Sequence, residues 1–103
     1  MPEYKVTERP DREPTHPGVI LAEALQAMEL KISSAARHMG FSRQLLHNIL
    51  NGSASITPNL AVRIGKLCGN GPNLWLNMQT GYDLWHARIA LKEEIEKIPT
   101  MAV

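Results

Sequence analysis

Apolar residues recur every three or four positions along most of the chain, which is the spacing of helices that bury one face. The first such run follows Pro17, a residue that suits a first helical turn because its missing N–H would have had no partner there. The sequence therefore predicts a first amphipathic helix from about residue 17. Its predicted inward face consists of Leu21, Ala24, Leu25 and Met28.

Two short helices follow, separated by a tight turn. The second helix is predicted over about residues 32–39 and ends at Gly40, because glycine readily takes the left-handed conformation that follows a helix end. The third begins after Ser42, whose hydroxyl can cap a helix N-terminus, and ends at Gly52. The predicted inward residues are Ile32, Ala35, Ala36 and Met39 in the second helix and Leu46, Ile49 and Leu50 in the third.

Two further helices complete the pattern. Thr57 and Pro58 have the cap-then-proline order of a fourth helix, and Pro72 opens a fifth. Gly81 lies inside the fifth helix, where a glycine is expected to weaken or bend the helix. The cost is about 1 kcal/mol of helix stability relative to alanine. Since no segment alternates in the manner of a strand, we predict an all-α fold of five helices. The apolar stripes are Leu60, Ile64 and Leu67 in the fourth helix and Trp75, Met78, Tyr82, Trp85 and Ile89 in the fifth.

The two ends of the chain lack this periodicity. Residues 1–16 combine charged residues with three prolines and are predicted to form a flexible or loosely docked arm. A helical domain over 17–98 and a short tail over 99–103 follow. With 103 residues, 44% of them hydrophobic, and a single cysteine, the chain is expected to form one domain without an internal disulfide. No apolar run approaches the roughly 20 residues that cross a bilayer, and no signal-peptide core is present, so a cytoplasmic protein is expected.

The turn between the second and third helices has the pattern of a helix-turn-helix. The steep crossing of such helices needs a small residue in the first, a glycine at the turn and an aliphatic plug in the second. Ala36, Gly40 and Leu46 occupy these three places. A plain helical corner in a bundle would show the same joint. The outward face of the third helix is therefore needed to distinguish a helix-turn-helix from such a corner.

That outward face is polar and contains no acidic residue. Arginine reads guanine and glutamine or asparagine reads adenine through paired hydrogen bonds. The first turn of a recognition helix points deepest into the groove, so Arg43 and Gln44 are the first candidates, followed by His47 and Asn48. The sequence thus predicts that this helix faces the major groove of DNA. The residues that the helical period places outside are Arg43, Gln44, His47, Asn48 and Asn51.

Neighbouring polar side chains are candidates for contact with the DNA backbone, which positions a protein without specifying sequence. Ser33 and Ser34 lie near the start of the second helix, where hydroxyls and backbone N–H groups can face a phosphate. Capping and turn formation explain such residues equally well, and both interpretations stay open. The candidates are Ser33, Ser34, Ser42, Asn51, Ser53 and Ser55.

The net charge of +1 alone argues little for a nucleic-acid partner, but the charge is unevenly distributed. Residues 17–69 carry five lysines and arginines against two glutamates, while both flanking segments are slightly acidic. Affinity for DNA rests on the neutralisation of phosphates by several cations. A two-fold dimer would carry this positively charged segment twice and so double the number of those cations. An ordinary solvated surface is the alternative that charge leaves open.

Four motifs together resemble one family. They are His16–Pro17–Gly18, the helix-turn-helix over 36–52, Ile56–Thr57–Pro58, and the pattern Trp-Leu-Asn-x-Gln-x-x-Tyr-Asp-Leu-Trp that begins at Trp75. Over roughly residues 16–88 the chain resembles the HigA antitoxins, also called the VapI-like family, within the lambda-repressor-like (XRE) helix-turn-helix group. The tryptophan pattern is the most specific part, since generic repressors of the group lack it. Two departures are Lys31, where such proteins often have a serine or threonine cap, and Gly81.

The resemblance implies the antitoxin of a type II toxin–antitoxin pair. Such a protein would bind and neutralise a HigB toxin, a RelE-like ribonuclease that cleaves mRNA. It would also repress its own operon by binding a palindromic operator on double-stranded DNA as a homodimer. The resemblance implies no cofactor and no metal. Toxin-contacting residues are not identifiable, and both the arm over 1–16 and the C-terminal helix are open candidates.

The far end of the fifth helix is a candidate dimer interface. A five-helix domain this small cannot easily bury both tryptophans and the end of the apolar stripe within itself. We therefore expect Tyr82, Trp85 and Ile89 to contribute to contacts between two copies.

Three other functions compete with this interpretation. An enzyme is not expected, because the spacings of the four histidines match no metal motif and the lone Cys68 has no sequence neighbour that marks a nucleophile. A helix-turn-helix used only for protein binding fits poorly with a polar third helix that lacks glutamate. An orphan transcriptional repressor without a toxin stays open, and the adjacent gene would distinguish it.

Overall fold

The structure is a computed structural model, and it describes residues 12–102. Within that range the chain is all-helical, which confirms the predicted fold class, and a short sixth helix adds to the five expected. The predicted arm lies mostly in residues 1–11, outside the described residues, and residues 12–16 precede the first helix. The helices are α1 (Pro17–Ala27), α2 (Ile32–Met39), α3 (Arg43–Leu50), α4 (Pro58–Cys68), α5 (Pro72–Ala90) and α6 (Lys92–Glu96).

The helix boundaries follow the local signals in the sequence. A proline opens each of α1, α4 and α5. The hydroxyl of Ser42 accepts a 3.0 Å hydrogen bond from the N–H of Leu45, and Thr57 caps α4 in the same way. Gly40 ends α2 with a φ of 83°, in the left-handed region that favours glycine. These caps fix where each helix begins and ends.

The core lies among α1 to α5, with the closest packing between α4 and α5 and between α3 and both α1 and α2. It contains most of the predicted inward residues, but not Met28, which is 41% exposed. That prediction was wrong because α1 ends at Ala27, and Glu29 with a φ of 54° then turns the chain toward α2. The buried hydrophobic residues are Leu21, Leu25, Ala35, Ala36, Met39, Leu46, Ile49, Ile56, Leu60, Ala61, Ile64 and Trp75.

Helix α5 continues through Gly81 without an interruption. Along its apolar stripe burial decreases: Trp75 is 1% exposed, Trp85 is half-buried and Ile89 is 57% exposed. The helix ends at Ala90, before Pro99, and α6 follows after the capping residue Leu91. The second half of α5 therefore extends beyond the core.

Candidate nucleic-acid interface

The outward face of α3 has the composition that the sequence predicted. Arg43, Gln44 and His47 are exposed and Asn48 is half-buried, while Leu46 and Ile49 are fully buried beneath them. The Gln44 Nε2 donates a hydrogen bond to Asn48 Oδ1 at 3.1 Å, so two of the candidate base-reading side chains are ordered together. The helix thus presents arginine, imidazole and amide groups on one side, and their contact with DNA stays a prediction.

The joint between α2 and α3 is built as the pattern indicated. Ala36 and Leu46 are buried at the crossing, and Gly40 forms the turn. From α4, the Arg63 Nη1 donates to the carbonyl oxygen of Met39 at 2.9 Å. A cation at the C-terminal carbonyls of α2 satisfies groups that a helix end leaves without partners and interacts favourably with the helix dipole. The role of Arg63 in holding this turn was not visible from the sequence.

Asn51 and Ser53, which the sequence predicted to contact the DNA backbone, form the turn that ends α3. The backbone N–H of Ser53 donates to Asn51 Oδ1 at 3.0 Å, and the Ser53 hydroxyl donates to the same oxygen at 2.7 Å. The turn-forming role of Asn51 and Ser53 is therefore present, and their contact with the DNA backbone stays a prediction. Ser55 is exposed in the loop that follows.

The start of α2 lies at the surface. Lys31 precedes the helix and makes no side-chain capping bond, as its identity implied. Ser33 is exposed and Ser34 half-buried in the first turn, so the hydroxyl of Ser33 is accessible there. Contact between these two serines and a phosphate stays a prediction.

Helix α1 presses its N-terminus against α3. A Cβ atom at Gly18 would overlap the backbone carbonyl of Ile49, so only glycine allows this approach. His16, which is 8% exposed, accepts a 2.9 Å hydrogen bond from the Gly18 N–H at its Nδ1. Burial lowers the pKa of His16, and the carboxylate of Asp83 partly opposes that shift. The His16–Pro17–Gly18 motif is thus a cap and a spacer that set the position of α3.

A second long-range bond fixes the segment after α3. The Gln79 side chain of α5 is 3% exposed, and its Oε1 accepts a hydrogen bond from the N–H of Ile56. Its Nε2 donates to Asp83 Oδ1 at 3.0 Å. The glutamine of the tryptophan pattern is therefore a structural anchor, a role that spacing alone did not reveal.

Two of the three residues expected at a dimer interface, Tyr82 and Trp85, make aromatic contacts within the chain. The Tyr82 ring lies 4.8 Å from the His16 ring and 4.5 Å from the His86 ring. Trp85 packs edge-on against His86, which in turn pairs with Glu13 through Nε2 and Oε2 at 2.6 Å. Tyr82 therefore packs against side chains of its own chain. A role for Tyr82, Trp85 and Ile89 between two copies stays a prediction.

Neither a metal centre nor a membrane span emerges from residues 12–102. No cluster of three or more histidine, cysteine or acidic side chains in that range is arranged to hold a metal ion. None of the helices there combines the length and apolarity that crossing a bilayer requires. Burial raises the pKa of the Cys68 thiol, which disfavours the reactive thiolate at neutral pH.

Curated relatives share most of the chain. An HTH-type transcriptional regulator of Haemophilus influenzae is 43% identical over 75 residues, which cover 72% of this chain and 70% of the relative. Antitoxin HigA-1 of Vibrio cholerae is 32% identical over 93 residues, which cover 89% of this chain and 88% of that antitoxin. No family model matches the chain.

Solved structures show the same fold. An addiction module antidote protein of a HigA family from Coxiella burnetii is 37% identical, with a TM-score of 0.80 over 88% of this chain and all of that one. The antitoxin HigA of Pseudomonas aeruginosa, solved with the higBA promoter, is 27% identical, with a TM-score of 0.79 over 88% of this chain.

The crossing of α2 and α3, with its glycine turn and polar outer face, defines a DNA-binding regulator of the helix-turn-helix class. The relatives and structural neighbours agree with that class. Within the class, the chain belongs to the HigA family of antitoxins.

Proposed function

We propose that this chain is an autorepressing antitoxin. It binds the operator of its own operon as a homodimer, in the cytoplasm, and neutralises a HigB toxin of the RelE-like class. The observation that carries the DNA-binding part is the outer face of α3, where Arg43, Gln44 and His47 are exposed above a fully buried Leu46. The proposal assigns the chain no catalytic step.

The comparisons support both halves of this function. One relative carries the name of a HigA antitoxin, and one structural neighbour of the same family was solved with the promoter of an antitoxin operon. A recognition helix of eight residues, packed against α1 and α2 and preceded by a turn that Arg63 of α4 holds, suits the reading of a short half-site. Two such helices on a two-fold dimer would read a palindrome.

The DNA-binding half is tested with the DNA upstream of the gene. The full chain should bind that fragment more tightly than a scrambled fragment of equal length in a mobility-shift titration. Affinity should fall steeply as salt rises, because binding releases counterions from the phosphates that the protein neutralises. Equal affinity for both fragments would overturn a sequence-specific operator role.

The toxin half is tested with the neighbouring gene. Its product should arrest growth when expressed alone, and co-expression with this chain should restore growth and allow the two proteins to be purified together. Operator binding without any toxic or co-purifying neighbour would instead favour an orphan repressor. One relative is described only as an HTH-type transcriptional regulator, which is the observation that keeps this second function in view.

A further inference from the structure

The turn that leads into the recognition helix is held by a side chain from another helix. The Arg63 Nη1 on α4 donates to the carbonyl oxygen of Met39 at 2.9 Å and, more weakly, to that of Gly40 at 3.5 Å. Both carbonyls lie at the end of α2, where a helix leaves such groups without partners of its own. One guanidinium group therefore binds the two residues at which the chain turns toward α3.

The guanidinium group is itself fixed in direction. Its Nε donates to Asn59 Oδ1 at 2.7 Å, one helical turn earlier on α4. A Cβ atom built at Gly40 would come within 2.7 Å of Arg63 Nη1, so the guanidinium lies directly against that glycine. Because this planar group donates in two directions at once, it joins α4 to the turn with a geometry that an ammonium group cannot reproduce.

A comparison with the other end of α3 indicates what the Arg63 contact does. There the bond from the Ile56 N–H to Gln79 is buried, whereas Arg63 and Asn59 are exposed at the surface. An exposed polar contact adds little to the free energy of unfolding, because water competes for both partners. The contact of Arg63 with the turn therefore fixes geometry more than it adds stability.

The direction in which α3 leaves this turn decides which base edges its side chains reach. Hydrogen bonds to bases require donor–acceptor distances of about 2.7–3.2 Å. A displacement of about 1 Å is therefore enough to lose them. Attraction to the phosphates rests on charge and tolerates such a displacement. A change at the turn should thus impair the reading of sequence before it impairs general affinity for DNA.

We infer that Arg63 is a positioning residue for operator recognition, with Asn59 as its support. It holds the turn at Met39 and Gly40 and so sets the direction of α3, and it does not itself contact the DNA. The inference rests on the DNA-binding half of the proposed function. It deepens that function, because it adds a residue outside the helix-turn-helix to those that determine which sequence is bound.

The first test compares two variants that each remove one positive charge from α4. Arg63→Ala should weaken binding to the upstream operator fragment about tenfold, and binding to the scrambled fragment by no more than about twofold. Lys66→Ala is the matched control on an exposed residue, and it should weaken both fragments equally, by no more than about twofold. Equal losses on the two fragments in Arg63→Ala would show that Arg63 acts only through its charge, which would overturn the inference.

Two further variants keep the net charge of the chain. Arg63→Lys offers one ammonium group where the guanidinium reached two partners, and Asn59→Ala removes the support. Operator affinity should fall about fivefold in the first and about threefold in the second. Wild-type affinity in Arg63→Lys would overturn the inference, and wild-type affinity in Asn59→Ala would overturn the support assigned to Asn59.

The salt dependence of binding tests whether Arg63 touches the DNA. The slope of log affinity against log salt concentration should be the same in Arg63→Ala as in the wild type, because no phosphate contact is lost. A slope that is smaller by about one would identify a direct phosphate contact and overturn the positioning role.

Hydrogen exchange reports on the turn itself. The backbone N–H groups of Gly40 and Phe41 both donate to the carbonyl of Ala36. In Arg63→Ala these two should exchange about fivefold faster, because the turn opens more often, while the buried Ile56 N–H should exchange as in the wild type. Faster exchange at all three groups would indicate general destabilisation, and unchanged exchange at the turn would show that Arg63 does not hold it. Either result would overturn the inference.

The wild-type chain separates the two levels of failure. Equal affinity of the wild type for the operator and scrambled fragments would contradict the DNA-binding half of the proposed function and the inference with it. A wild type that discriminates between the fragments, together with an Arg63→Ala variant that discriminates equally well, would overturn only the role assigned to Arg63.

Discussion

The side chain of Gln79 accepts a 2.8 Å hydrogen bond from the backbone N–H of Ile56, a residue 23 positions earlier in the chain. Both residues are buried, so neither group can turn to water instead. The bond joins α5 to the segment that leaves the recognition helix. The position of the loop around Ser55 therefore depends on a helix that is not part of the helix-turn-helix.

Gln79→Met is expected to lower the free energy of unfolding by about 1–3 kcal/mol, because it leaves the Ile56 N–H buried without an acceptor. Urea denaturation followed by circular dichroism measures this difference. Thr80→Ala, on the exposed neighbour, should change stability by no more than about 0.5 kcal/mol. Wild-type stability in Gln79→Met would show that the bond contributes nothing.

Two glycine-to-alanine changes should have effects of opposite sign. Gly18→Ala places a methyl group on the carbonyl of Ile49 and should destabilise the fold by about 1–3 kcal/mol through overpacking. Gly81→Ala meets no atom within 4 Å in the middle of α5 and should stabilise it by about 0.5–1 kcal/mol. The two melting temperatures, compared with that of the wild type, give the signs, and changes in the same direction would contradict this account.

The local signals in the sequence were sufficient to predict most of the fold. Prolines, hydroxyl caps and glycines act within a few residues of the position that they mark, so α1 to α5 begin where the sequence indicated. The joint of Ala36, Gly40 and Leu46 is also local, because the three residues lie close together in the chain around the turn between α2 and α3. The polar face of α3 could be predicted from the helical period.

Tertiary contacts account for what the sequence did not reveal. Arg63 and Met39 lie 24 residues apart, and no pattern along the chain links a charged residue of α4 with the end of α2. His16 was part of a motif that carried the family resemblance, but only the packing of α1 shows that it is a buried cap. Gly81 was expected to weaken or bend α5, and the helix runs through it without an interruption.

The fold should lose stability on acidification through His16. The folded pKa of His16 is lowered from its ordinary value of 6.5, so the folded state binds fewer protons there than the unfolded state. Its stabilising contribution is complete above pH 6.5 and is lost as the pH falls through the lowered folded pKa. His16→Asn keeps a capping side chain but does not titrate in this range.

The pH test compares the free energy of unfolding at about pH 7.5 and about pH 5.5 in each variant. The wild type should lose more stability over this interval than His16→Asn. His38→Gln removes an exposed histidine and should keep the wild-type loss. An equal loss in His16→Asn and the wild type would show that another group is responsible.

Arg43→Ala should weaken operator binding by about 1–3 kcal/mol and relax the preference at one base position, because an arginine in the first turn of α3 is placed to read a guanine. Lys66→Ala removes the same charge from α4 and should leave the base preference unchanged. Fluorescence anisotropy with a set of single-base operator variants measures both quantities. Unchanged affinity in Arg43→Ala and in Gln44→Ala would show that another surface of the chain meets the DNA.

The hydrogen bond between Gln44 and Asn48 has a consequence for how α3 meets a ligand. Two long polar side chains on an exposed surface normally sample many rotamers, and holding them still on binding costs entropy. Here each restrains the other in the free protein, so part of that ordering has occurred before any partner arrives. A surface prepared in this way loses less conformational entropy on contact, which strengthens binding without any additional contact.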